Sequence, residues 1–361
     1  MRQKLGYLNH LRMTRASTFL TLVCSLFAFP PGILGLERFA AASFFDPRSL
    51  NETVSPPESL TWAQHCLTSC LRACLQQTDL QLSLALKFLK WDKEEDCAYR
   101  CVHTCLSVGV ENGGRIWKYQ GKWPHTRFLG IQEPASALFS LFNAVSHVLG
   151  LLLLFDTRKT IAQANNRQGA LSDVIRHVNR VMSMSRLWIC AWIGSMVFHS
   201  RDNWATERLD YYLGNVAMTW MAYTAVMRVV LSSNTVKWLG IQRLLQMSFF
   251  GGILAHMMSG WNRMNYSQNM RVMIALMIAN SCAWLSVCIS IKQSFVRLFY
   301  LSTVLTYAAG ALEIFDFPPM FGFLDAHAVW HLTTPYLSWM FYRFLALDAL
   351  ALVEHKQRRD L

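Results

Sequence analysis

The sequence predicts an all-α membrane protein, a seven-transmembrane-helix bundle preceded by a luminal, cysteine-rich helical region. Three observations carry this expectation. Of 361 residues, 53% are hydrophobic and only 16% are charged, whereas charged residues make up about a quarter of an ordinary soluble chain. Seven apolar segments follow Trp123, each close to the roughly 20 residues that a helix needs to cross a bilayer. Six of the ten cysteines fall in two triplets inside the polar stretch ahead of those segments. A 13% aromatic content excludes a disordered chain. The net charge of +12 comes from basic residues scattered between apolar segments; they form no stripe, which argues against a nucleic-acid partner.

At the amino end, Arg2, Lys4, Arg12 and Arg15 precede an apolar run from Thr18 to Phe29 that stops at Pro30-Pro31, the layout of a secretory leader. The run is short for a span and no clear small-x-small site marks cleavage. Residues 1–36 are therefore expected to be a signal peptide or a retained signal-anchor, and either one sends residues 37–130 to the lumen. There, Cys66, Cys70 and Cys74, and then Cys97, Cys101 and Cys105, are each spaced by four, which on a helix stacks three thiols along one face. Two such helices running antiparallel bring Cys66 to Cys105, Cys70 to Cys101 and Cys74 to Cys97, a nested choice among the possible pairings. A zinc cluster is the rival reading, disfavoured by an oxidising compartment and by the missing C-x₂-C knuckle. The sequon at Asn51 suits a luminal, glycosylated region.

The seven segments lie at about 135–155, 183–200, 210–231, 241–260, 271–291, 297–315 and 326–347, inside an expected membrane domain at 131–350. Arg186, Arg243 and Arg297, near the starts of the second, fourth and sixth, are tolerable if they snorkel. Seven crossings from a luminal start leave the basic tail, 351–361, in the cytosol. Fourteen Lys and Arg lie in or beside the expected cytosolic connections, against Arg201, Arg208, Arg263 and Arg271 on the luminal side, and this asymmetry supports the orientation. A second sequon, at Asn265, falls in a luminal loop.

Polar side chains at the mouths of membrane helices are expensive and mark candidate sites. Ser195 and His199 stand four apart near the luminal end of the second segment; Asp210 opens the third; His327 and His331 stand four apart at the start of the seventh. All five reach one membrane face. Two histidines at i and i+4 can hold one ion, and His199 supplies a third nitrogen, the ligand set of a catalytic zinc with an open position. Zinc so held acidifies water and polarises a carbonyl, which is a hydrolase's equipment. Asp210 would be the general base or orient the water, and Ser195 a hydrogen-bond donor to the metal-bound water or the developing oxyanion. The plainer readings are a histidine cap or interhelical pair, a small packing serine and an interfacial carboxylate. A serine nucleophile is the rival chemistry, although Ser195 lacks a G-x-S-x-G elbow. His147 and His256 read as interhelical hydrogen-bonders, His177 as lying outside the core, and Cys190, Cys282 and Cys288 as buried membrane thiols.

The order S-x₃-H, Asp, H-x₃-H resembles the CREST superfamily of seven-helix membrane hydrolases and receptors. Within it, Gly121-Lys122-Trp123-Pro124, Gln132-Glu133-Pro134-Ala135-Ser136-Ala137, Val197-Phe198-His199-Ser200-Arg201-Asp202, Leu209-Asp210-Tyr211, Asp316-Phe317-Pro318-Pro319 and the block from Leu324 to His331 are similar to the Per1-like family of post-GPI-attachment lipid-remodelling factors. The resemblance runs from about Cys66 to the end. It implies hydrolysis of the sn-2 acyl ester of protein-attached GPI lipid, a phospholipase A2 reaction, in the secretory pathway, in the Golgi membrane or else the endoplasmic reticulum. It also implies zinc on His199, His327 and His331, with Ser195 and Asp210 beside it. A non-catalytic lipid receptor or a chaperone for GPI-anchored cargo, with zinc as a staple, is the alternative. Neither the resemblance nor the composition speaks to oligomeric state.

Overall fold

The computed structural model describes residues 58–77, 80–112, 116–119, 121–164, 171–232, 239–262, 264–291 and 293–357. The expected leader and the sequon at Asn51 lie outside them. The described chain is nearly all helical. Two antiparallel helices, α1 (Glu58–Leu75) and α3 (Lys93–Glu111), form a hairpin bridged by Cys66–Cys105, Cys70–Cys101 and Cys74–Cys97, with the short α2 (Leu84–Phe88) between them. Helix α3 starts where it does because Asp92 and Glu95 form a reciprocal cap: the Asp92 carboxylate accepts from the Glu95 N–H at 2.8 Å, and Glu95 accepts from the Asp92 N–H at 3.0 Å. Glu94, Glu95 and Asp96 then sit at the positive end of the helix dipole. Cys97, Cys101 and Cys105 are fully buried, so the bridges are the core of a hairpin otherwise too small to bury one.

The bundle consists of α4 (Pro134–Ala164), α5 (Ser172–Ser200), α6 (Trp204–Ser232), α7 (Leu239–Ser259), α8 (Tyr266–Cys288), α9 (Val296–Gly310), α10 (Leu312–Phe315) and α11 (Ala326–Gln357). Four of these, α4, α5, α8 and α11, are long and apolar enough to cross a membrane. Helix α9 has 15 residues, about 22 Å of rise against a hydrocarbon core of about 30 Å, and α6 carries Glu207, Arg208, Asp210 and Arg228. Helix α4 packs against α5 and α11, α5 against α6, α6 against α7 and α8, and α9 against α11. Leu154, Val178, Val226, Trp284 and Phe344 lie in the shared core.

Two contacts fix the pairing of α4 with α11. A Cβ placed on Gly150 would stand 2.2 Å from the Tyr342 ring, so only glycine permits this approach. The Tyr342 hydroxyl donates to Nδ1 of His147 at 2.7 Å. Farther along, Arg228 on α6 makes a two-pronged pair with Asp348 on α11, both contacts at 2.7 Å and both side chains buried. Between α6, α7 and α8, Asn215 donates to Asn269 at 2.9 Å, and His256 lies 3.3 Å from the same oxygen.

Several expectations change. Arg208, expected in a luminal loop, is a buried helix residue hydrogen-bonded to the carbonyls of Trp261 and Asn262, and Arg228, counted among the fourteen in or beside the cytosolic connections, is buried within α6. His177, expected outside the core, is enclosed against Trp284, because α5 begins eleven residues before the apolar segment that marked it. Of the three membrane thiols only Cys288 is buried; Cys282 is half-buried and Cys190 is exposed on the bundle exterior. The expected tail is helical through Gln357, as the continuation of α11.

Candidate metal centre

The C-terminal end of α5, the first turns of α6 and the start of α11 meet at one end of the bundle. Local chemistry places each there. Asp325 precedes α11 and accepts from the Ala328 N–H at 2.8 Å, capping the helix that carries His327 and His331. Pro335, inside α11, has no N–H for the His331 carbonyl four residues back, and Asn143 of α4 donates to that freed carbonyl at 2.8 Å. The loop entering α4 is sewn to the end of α5, the Gln132 N–H donating to Ser200 O at 3.0 Å and the Glu133 N–H to His199 O at 2.9 Å.

The three histidines converge. Nε2 of His327 stands 2.8 Å from Nε2 of His331 and 3.4 Å from Nε2 of His199. Each opposite nitrogen is engaged: Nδ1 of His199 donates to Glu133 at 2.7 Å, and Nδ1 of His327 to Glu313 at 2.6 Å. Nδ1 of His331 donates to Ser140 Oγ at 3.1 Å, whose own proton goes to Ser136 O at 2.8 Å. These acceptors fix one tautomer on all three rings. Three Nε2 lone pairs then face one another, an arrangement that repels unless a cation stands among them. Nitrogens on a tetrahedral zinc at about 2.0–2.1 Å are roughly 3.3 Å apart, so these residues fit such an ion. Ser195 lies 3.3 Å from Ser140, and Asp210, in the second turn of α6, lies within electrostatic reach of His199, His327 and Ser195. All five side chains singled out in the sequence therefore share one site, with Trp192, Phe198 and Trp330 as its aromatic walls. Asn265 is elsewhere, capping α8 by accepting from the Gln268 N–H at 3.0 Å.

Sequence reasoning missed the partners. Glu133 and Glu313 orient two rings and Ser140 the third; a ligating histidine needs an acceptor on its other nitrogen, and a search for carboxylates near the helix mouths would have found both glutamates. Burial alone would raise the Glu133 carboxyl, but His199, His125 and Lys122 hold it well below the usual carboxylate range. Lys122 belongs to a segment roofing the site: it pairs with Asp202 after α5, while Lys118 and the Trp123 indole reach Asp316 ahead of α11. Trp192, buried against His331, has an indole N–H with no partner among the described residues.

The Per1-like family matches residues 83–349. A Mus musculus protein named GPI-specific phospholipase A2-like PGAP3 is 30% identical over 299 residues, covering 81% of this chain and 85% of that protein. Drosophila melanogaster post-GPI attachment to proteins factor 3 is 32% identical over 264 residues, 73% of this chain and 76% of its own. No solved structure matches.

Proposed function

This chain belongs to the Per1-like family, and on that premise we propose that it remodels GPI anchors by hydrolysing the sn-2 acyl ester of protein-attached GPI lipid. The observation that carries the reading is the convergence of three histidine Nε2 atoms, with Ser195 and Asp210 beside them, at one end of a membrane bundle. The relatives' name, GPI-specific phospholipase A2-like, supports the choice of ester. His199, His327 and His331 would hold zinc. When bound there, zinc supplies Lewis acidity toward water and toward an ester carbonyl. Asp210 takes the proton of the attacking water or orients that water, and the Ser195 hydroxyl donates to the oxyanion that develops on the carbonyl. Glu133, Glu313 and Ser140 hold the rings so that no reorganisation is needed during the reaction.

The proposal includes seven crossings by α4 to α9 and α11, with α10 extending α9, the cysteine hairpin in the lumen and the C-terminus in the cytosol. The residence is the Golgi membrane, or next the endoplasmic reticulum. A luminal site meets the ester just beneath the headgroups.

The test is metal analysis of the purified full chain beside lyso-GPI formation by each variant. His327→Ala should lose metal and activity together. Asp210→Asn should keep the metal while turnover falls by about 10²- to 10⁴-fold, the usual loss for a general base. A full metal complement with normal activity in His327→Ala eliminates the site, and a trapped acyl-serine at Ser195 replaces this scheme with covalent catalysis.

A further inference from the structure

Two tight turns beside the site carry bulky apolar residues where the backbone favours glycine or asparagine. In the first, the bridge between Phe128 and Ile131 closes on Leu129 at φ +50° and Gly130 at φ +83°. In the second, Met320 bridges Leu324, with φ +56° at Phe321 and +83° at Gly322. A side chain in that region is disfavoured by contact between Cβ and the backbone carbonyl. Neither residue gains from packing in return, since Leu129 is 70% and Phe321 83% exposed. The turns are joined: the Thr126 N–H donates to Gly322 O at 2.7 Å, and a Cβ on Gly322 would strike Thr126 Oγ1 at 2.5 Å. Gly130 in turn packs on Ala85 and Leu89, beside Leu84 and Phe88 of α2, which stand one turn apart and are both 85% exposed.

We propose that Leu84, Phe88, Phe128, Leu129 and Phe321 form a lipid-anchoring surface seated in the headgroup–acyl boundary of the bilayer leaflet on the histidines' side. The position of the turns selects that occupant. Gly130 stands four residues before Pro134, where α4 begins, and Leu324 two before Ala326, where α11 begins; both helices are long and apolar enough to cross a membrane. From Leu138 onward α4 exposes a row of apolar side chains, including Leu141, Val145, Leu149 and Leu152, so hydrocarbon starts just beyond the first turn. The exposed Lys87 and Lys90 beside the patch suit phosphate headgroups. Large exposed apolar side chains grouped this way, with basic residues alongside, are the composition of an interfacial anchor. Anchoring the turns holds the roofing segment at the membrane surface, which keeps headgroups next to the histidines. The inference goes beyond the hydrolytic reading and stands without it.

The experiment places a photoreactive benzoylphenylalanine at Leu129, at Phe321 and, as a lipid-facing control, at Leu141 of the full chain in cell membranes. After irradiation, peptide masses are read. The expected result at 129 and 321 is a mass increase of one phospholipid, as at 141. Cross-links at 129 and 321 to protein only, whether another chain or this chain's first 57 residues, or no adduct there while 141 captures lipid, would overturn the proposal.

Discussion

Replacing Glu133 by Gln tests whether the ring partners, as well as the ligands, make this a metal centre. The Glu133 carboxylate accepts from Nδ1 of His199 at 2.7 Å, a charge-assisted bond that sets the ring's tautomer and raises the basicity of Nε2. An amide keeps an oxygen there but loses the charge and can present its NH₂ instead. Loss of such an outer partner typically costs about 10- to 100-fold in metal affinity, or about 1.4–2.7 kcal/mol. The loop should survive the change, because the Glu133 and Gln132 N–H groups still donate to the carbonyls at the end of α5. Glu313→Gln acts on a different ring through Glu313's own bond to Nδ1 of His327 at 2.6 Å, so the two changes together should multiply to about 10²- to 10⁴-fold. Zinc affinity of the purified proteins by chelator competition, with thermal unfolding as the folding control, reads this directly. Wild-type affinity in a folded double variant would refute the reasoning, since His199 and His327 would then need no orienting carboxylates.

Gly150→Ala should destabilise the protein by about 1–3 kcal/mol, because a Cβ 2.2 Å from the buried Tyr342 ring forces α4 and α11 apart while His147 pins that ring; thermal unfolding should fall and recover in part when Tyr342→Leu is added. Asp348→Ala leaves the Arg228 guanidinium buried without its partner and should cost about 3–5 kcal/mol, whereas the pair Arg228→Met with Asp348→Leu should cost far less; equal melting losses in the two would contradict the buried-pair argument.

Features that repeat at a fixed spacing are legible in the order of the amino acids. Cysteines four apart define a helix face, so two triplets specify both the hairpin and a nested pairing, and the S-x₃-H and H-x₃-H pairs announce their helices and their common end. Apolar length located segments that lie on helices, including 210–231 on α6, but it gave Arg228 no role beyond a basic residue in or beside a cytosolic connection, whereas the structure makes it half of a buried pair. The groups that complete the site come together through the packing of distant segments. Glu133, Ser140 and Glu313 are 66, 191 and 14 residues from the histidines they orient, on the loop entering α4, on α4 itself and on α10. Their local sequence marks the two glutamates only as carboxylates near helix mouths, and says nothing of which ring each one meets. A hydrogen bond to a ring nitrogen is satisfied at about 3 Å in space from any element that reaches it, whereas sequence periodicity records only what one helix presents along its own face.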